Sequence, residues 1–300
     1  MTRVPSRTAS KSMLDAMEAN YGRLVNTQRQ IATGKRITRM SDAPADALTV
    51  NALRNSEKRA GAYVTAAQDG LSMLQTQDST LQNVSSILQR VRELSLSASS
   101  AIESANGRIA IATELEGLRD QLVSLANTTH AGRAVFGGFS AAAVQSTGGS
   151  VTFVGDTNPI ERRVSPDLKV AVSTNGREVF GFDAGSPAGS DNVFAVINRI
   201  ATSVRAGNNA GARAELGNVD GRLRDVTNAL ASVGGRVSQL DVVKNQTEDS
   251  IVSMRSRRSD LEDTDVGAAV VDLKDAQNAY EATLAAVAQL HRASLLDFLR

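Results

Sequence analysis

Few side chains in this 300-residue sequence have the type and spacing for chemistry. Its two histidines, His130 and His291, have no second histidine or cysteine at ligand spacing, and no cysteine exists to serve as thiolate ligand, nucleophile or disulfide partner. No Gly-x-Ser-x-Gly elbow and no His-Glu-x-x-His pair occurs. Glu262-Asp263-Thr264-Asp265 gathers carboxylates, but lacks the central glycine and distal glutamate of a calcium loop. The four-residue spacing of Arg258 and Glu262 predicts an exposed helix ion pair instead. Thr33-Gly34-Lys35 lacks the glycine spacing and strand context of a phosphate loop, and predicts a helix end. Carboxylate pairs that meet only in space are invisible along a chain, yet long helices with apolar seams form poor pockets. No enzyme, metal or cofactor is expected.

The dominant pattern is apolar residues at alternating steps of three and four. Residues 216 to 261 carry Leu216, Val219, Leu223, Val226, Leu230, Val233, Val237 and Leu240, then Ile251, Met254 and Leu261; Lys244, Thr247 and Arg258 interrupt the seam. A seven-residue repeat on a helix of 3.6 residues per turn keeps one seam in contact only if helices wind gently around each other. At 1.5 Å per residue this helix is about 70 Å long, more than a compact core can bury. It must lie along other helices, from this chain or from neighbours. An ordinary helical bundle would show the same stripe, so the rest of the chain has to decide.

A first seam from Ser10 reads Leu14, Met17, Tyr21, Leu24, Gln28, Ile31 and stops at Gly34, with Lys35 and Arg36 placed to meet the carbonyl end of the helix. Ser41-Asp42-Ala43-Pro44 then starts a helix running to about 100, with Ser41 or Asp42 as cap and Pro44 in the first turn. Its seam is Val64, Ala67, Leu71, Leu74, Leu81, Leu88 and Val91, with Asp78 as a polar member. A third helix over about 107–129 and a short one over 192–205 follow the same logic. The last seam is Val266, Val270, Leu273, Gln277, Tyr280, Leu284, Val287 and His291, followed by Leu295, Leu296, Phe298 and Leu299. Chain ends are usually polar and frayed, so apolar residues there imply burial by something outside the segment.

The middle changes character. Six of the seven phenylalanines lie between Phe136 and Phe194. Residues 151–154, 168–173 and 178–182 read as short strands, with Asn175-Gly176 as a hairpin turn between the last two and Gly148-Gly149 and Gly185-Ser186-Pro187 as flanks. Prolines occur only at 5, 44, 159, 166 and 187, leaving 45–158 and 188–300 free of the residue that breaks helices. Net charge is +1 with signs interleaved, so no basic face offers itself to nucleic acid. No apolar run reaches membrane-span length and no signal-peptide core is present. The basic, serine-containing start has the composition of a transit peptide, but its heptads argue against one. The fold expected is mainly α: a long coiled-coil-like bundle made by N- and C-terminal arms, with a small β-rich inserted domain. Its parts would be an assembly arm over 1–40, a helical rod over 41–135 and 191–264, an outer insert over 136–190, and a second arm over 265–300.

Several strings resemble the flagellin and hook-associated family. They are Ile31-Ala32-Thr33-Gly34-Lys35-Arg36 with Ser41-Asp42-Ala43-Pro44, Ala67-Gln68-Asp69-Gly70, Gln89-Arg90-Val91-Arg92-Glu93-Leu94, and Ser259-Asp260-Leu261-Glu262-Asp263-Thr264-Asp265. Within that family, Val135-Phe136-Gly137-Gly138, the small insert and the ending Ser-Leu-Leu-Asp-Phe-Leu are most similar to members at the hook–filament junction; a short filament subunit is the alternative. The resemblance implies a secreted structural subunit of the extracellular flagellum, exported through the type III apparatus with an export chaperone. It further implies self-association in a helical tube beside hook-associated and flagellin subunits, with the arms inside and the insert outside. The residues expected to carry assembly are Leu14, Met17, Tyr21, Leu24, Ile31, Val270, Leu273, Tyr280, Leu284, Val287, Leu295, Leu296, Phe298 and Leu299. A cytoplasmic coiled-coil scaffold, the rival class, has no use for an apolar terminus or a β insert.

Overall fold

The heptad stretches fold as helices in the computed structural model, which describes residues 3–100, 104–182 and 191–298. In chain order they are α1 (Arg3–Thr33), α2 (Pro44–Ser100) and α3 (Ala105–Ala126), then β1 (Thr129–His130), β2 (Arg133–Ala134), β3 (Val144–Thr147), β4 (Ser150–Phe153), β5 (Glu161–Arg163) and β6 (Lys169–Ala171). After the strands come α4 (Gly176–Phe180), α5 (Val193–Arg205), α6 (Asn209–Ala214), α7 (Leu216–Glu262) and α8 (Val266–Phe298). The chain divides into one unit formed by both ends, Met1–Arg59 with Ser250–Arg300, and a second formed by Ala60–Asp249.

The second unit holds the main apolar core. α2 supplies Ala67, Leu71, Leu74, Leu81, Leu88 and Val91, all buried as the seam requires. α7 supplies Val219, Val226, Val233 and Leu240, buried at steps of seven. The polar seam member is Gln77 rather than Asp78. Gln77 is fully buried, donates to the Val172 carbonyl at 2.7 Å and accepts from the Thr174 hydroxyl at 2.7 Å, so both ends of its amide are satisfied. Asp78 instead accepts from Gln82 at the surface. His130 is held between Ser72 (3.2 Å) and Thr76 (3.3 Å), a polar tie between β1 and α2.

The inserted phenylalanines are core, not surface. Phe136 meets Phe180 edge-on at 5.5 Å, and Phe180, Phe194, Phe182 and Phe153 continue the chain of ring contacts at 5.7–6.0 Å. Such pairs add about 0.5–1.5 kcal/mol beyond the area they bury. Only Phe139 of the six stays exposed. The strands make three separate antiparallel pairs: β1 with β2, β3 with β4, β5 with β6.

Two turn expectations are corrected. Gly148 and Gly149, at φ +60° and +83°, are the two-residue loop of the β3–β4 hairpin rather than a flank of the insert, as a turn needing left-handed backbone at both positions demands. Asn175-Gly176 is no hairpin: Asn175 caps α4, accepting from the Arg177 amide at 3.0 Å, and residues 176–180 coil so that Val179 and Phe180 enter the core. A side chain at Gly176 would lie 2.5 Å from the Phe136 carbonyl oxygen, so the glycine is there for close approach. β6 pairs with β5 instead, Glu161 opposite Ala171. Gly185-Ser186-Pro187 lies outside the described residues.

Candidate assembly surfaces

In the unit built from both chain ends, α1 and α8 pack antiparallel: Tyr21 meets Tyr280 at 5.7 Å, the Asn20 amide donates to the Ala279 carbonyl at 3.4 Å, and the backbones of Lys35 and Asp263, just beyond the helices, form an antiparallel β-bridge. Each helix turns a row with steps of three and four toward the other. On α1 the row is Met13, Met17, Asn20, Leu24, Thr27 and Ile31, all half-buried. On α8 it is Ala269, which is buried, and Leu273, Ala276, Tyr280, Thr283 and Val287, which are half-buried.

The seam read from sequence therefore splits. Met17, Leu24, Ile31, Leu273, Tyr280 and Val287 belong to the closed row. Leu14 and Tyr21 remain 45% and 54% exposed, and Val270 and Leu284 remain 47% and 42% exposed, each pair on a seven-residue row completed by Gln28 or Gln277. A heptad seam has two such rows per helix; the α1–α8 pair closes one and touches the other where the Tyr21 ring lies against Tyr280. The side chains of Leu295, Leu296 and Phe298, and Leu299 altogether, lie outside the described residues.

The turns after α1 and α7 close each other. Gly34, at φ +68°, ends α1, and its carbonyl accepts from the Thr264 amide at 3.0 Å. In return the Arg36 amide donates to the Glu262 carbonyl at 2.7 Å, and the Arg36 guanidinium reaches the Leu261 carbonyl at 2.8 Å and Asp46 at 2.9 Å. Helix-end carbonyls that lack intrahelical partners are thus satisfied by the opposite end of the chain.

At the centre of this joint, Glu262 is 2% exposed and binds both Lys35, at 2.5 Å, and Arg54. This corrects the expected exposed pair with Arg258, which turns to Glu57 at 3.2 Å. Spacing along one helix had suggested the wrong partner, because the right ones come from the other end of the chain. The cap at Ser41 or Asp42 is also corrected. α2 begins at Pro44 with Ala43 in the cap position, its carbonyl accepting from the Ala47 amide at 2.8 Å. Asp42 looks backwards and accepts from the Arg39 amide (2.8 Å), the Thr38 amide (3.0 Å) and the Thr38 hydroxyl (3.0 Å). Those bonds, the Arg39 amide first, hold its carboxyl below the usual aspartate range. No helix among the described residues is long and apolar enough to cross a membrane.

Known proteins are similar to this chain in sequence and in fold. Residues 4–140 match the sequence profile described as the bacterial flagellin N-terminal helical region, and residues 216–299 match that of the C-terminal helical region. Flagellar hook-associated protein 3 of Salmonella typhimurium is 25% identical, over 94% of this chain and 97% of its own length. Flagellin E of Vibrio cholerae is 32% identical, but over 46% of this chain and 35% of its own. The solved flagellar junction protein from Legionella pneumophila superposes with a TM-score of 0.59 at 15% identity, covering 71% of this chain and 99% of that one. With both arm regions matched in order and the paired terminal helices in place, the chain belongs to the bacterial flagellin and hook-associated family.

Proposed function

We propose that this chain is the structural subunit that joins the flagellar hook to the filament, working outside the cell and without catalysis. The observation that carries the reading is the near end-to-end match to a hook-associated protein 3, set against a match to flagellin E that covers about a third of that longer protein. A filament subunit would share the arms, as this chain does. The extent of shared middle region favours the junction.

The mechanism follows from the open rows. Leu14 and Tyr21 on α1, with Val270 and Leu284 on α8, leave apolar surface in water that a neighbouring subunit's helices would cover. Burying it contributes about 25 cal/mol per Å². A lone helix pair gains little from its own hydrogen bonds, so the arms become firm where several pairs meet. Ordering costs about 1–2 kcal/mol per residue, which restrains polymerisation in dilute subunit and is overcome at the growing tip. Before assembly these rows need cover, consistent with an export chaperone and passage through the type III apparatus in an unfolded state. Hook-associated and flagellin subunits are the neighbours on either side.

The test is genetic and structural. A strain lacking this gene should make hooks without filaments and shed flagellin as monomer, and tagged protein should be found in a handful of copies at the junction. Thousands of copies along the filament would make it a filament subunit instead, and retention in the cytoplasm would overturn both.

A further inference from the structure

The two-ended unit contains a cleft of about 320 Å³ whose make-up points to a specific occupant. Its floor is apolar, from Ile37, Ala47 and Val50, all buried. Its walls carry Lys35, Arg39 and Arg54 against a single carboxylate, Glu262, which already binds Lys35 and Arg54. An excess of two positive charges thus surrounds a small cleft in a chain whose net charge is only +1. Asp42, three residues past Arg39, directs its carboxylate to the turn's own amides. Among the described residues the Arg39 side chain has no ion-pair partner, and it is exposed. An aliphatic side chain with a carboxylate one helical turn away would fit such a site.

The chain itself presents that combination. On α8, Val271 is 60% exposed. Asp275 lies four residues on, hence on the same face, and Asp272 flanks both; all are exposed and neither carboxylate has an ion-pair partner among the described residues. This face lies off the row that meets α1, and Lys274 stands with Val270 instead. An exposed valine beside two unpaired carboxylates has no role within its own unit.

We propose that the cleft is the receptor for the α8 back face of a second copy, with Val271 over Ile37, Ala47 and Val50, and Asp275 paired with Arg39. The pairing deepens the assembly reading and rests on it, since it names how one subunit's arm registers on the next. Ionic contact at an exposed rim contributes modestly, and the floor residues, being already buried, add shape rather than area.

A charge swap tests it. Arg39→Asp and Asp275→Arg, each alone, should raise the concentration of purified chain needed for half-maximal assembly onto hook or filament seeds roughly threefold. The chain carrying both should return close to wild type, since each copy again offers complementary charges. Circular dichroism of the monomers should be unchanged, both sites being exposed. Because the natural sequence has no cysteine, a chain with Arg39→Cys mixed with one carrying Asp275→Cys should give a mixed disulfide dimer on oxidation during polymerisation. Additive penalties in the double variant, or no mixed dimer while polymers form normally, would overturn the pairing and leave the assembly reading standing. A wild-type chain that stays monomeric with hook or filament seeds would overturn the assembly reading, and the pairing with it.

Discussion

Glu262 shows how much one buried carboxylate can organise. It sits under Lys35 and Arg54, whose side chains are each about 40% exposed, so its removal leaves cations that water can partly recover. Glu262→Gln should therefore destabilise the two-ended unit by about 1–3 kcal/mol, less than for a fully buried pair. Hydrogen exchange in α1 and α8 should accelerate while that of α3 and α5 does not. Glu215 behaves differently because its environment is local. The hydrogen bond from Arg199 at 2.7 Å, then that from Asn218, holds its carboxyl below the usual value of 4.5. A carboxyl depressed on folding stabilises above its unfolded pKa and loses that contribution as pH falls through the folded one. The urea midpoint of wild type should thus drop below pH 4.5 by more than that of Glu215→Gln, and parallel curves would show that the pair contributes nothing.

At the scale of elements, the helices are legible because the apolar period and the proline map agree with one another. α2 begins at Pro44 and α7 spans Leu216–Glu262, as the seams require. Two of the misreadings depend on partners distant in sequence. Asn175-Gly176 carries the same residues whether it turns a hairpin or caps a helix. The choice is made by Phe136, against whose carbonyl Gly176 packs. Glu262 was assigned to Arg258 because spacing reports only neighbours on the same helix, whereas Lys35 is 227 residues away. The seam residues expected to carry assembly divide into a closed and an open row only once α1 and α8 are placed side by side, and those from Leu295 onward lie outside the described side chains. That division predicts contrasting variants. Leu14→Ser with Leu284→Ser should leave the monomer's thermal unfolding within a degree or two and abolish polymer growth. Leu24→Ala with Leu273→Ala, in the half-buried row, should lower monomer stability by about 1–3 kcal/mol. Scanning calorimetry and light scattering would separate the two. Equal effects on monomer and polymer would mean the rows are not distinct.

For the whole molecule, the two units divide the labour. Ala60–Asp249 has its own core of helices and inserted phenylalanines, self-sufficient in the way a folded domain must be. Among the described residues, the unit formed by the chain ends is held by the α1–α8 pair, a reciprocally capped joint around buried Glu262 and a small apolar floor of Ile37, Ala47 and Val50, and it leaves apolar rows open to water. That asymmetry supports the proposal of a subunit completed among copies of itself and its flagellar neighbours. Hydrogen–deuterium exchange on free and assembled protein measures it directly. The account predicts that amides of α1 and α8 exchange orders of magnitude faster than those of the α2 segment 67–91 in the free subunit, and become comparably protected on assembly. Arms already as protected as that segment in dilute monomer, with no gain on assembly, would contradict it.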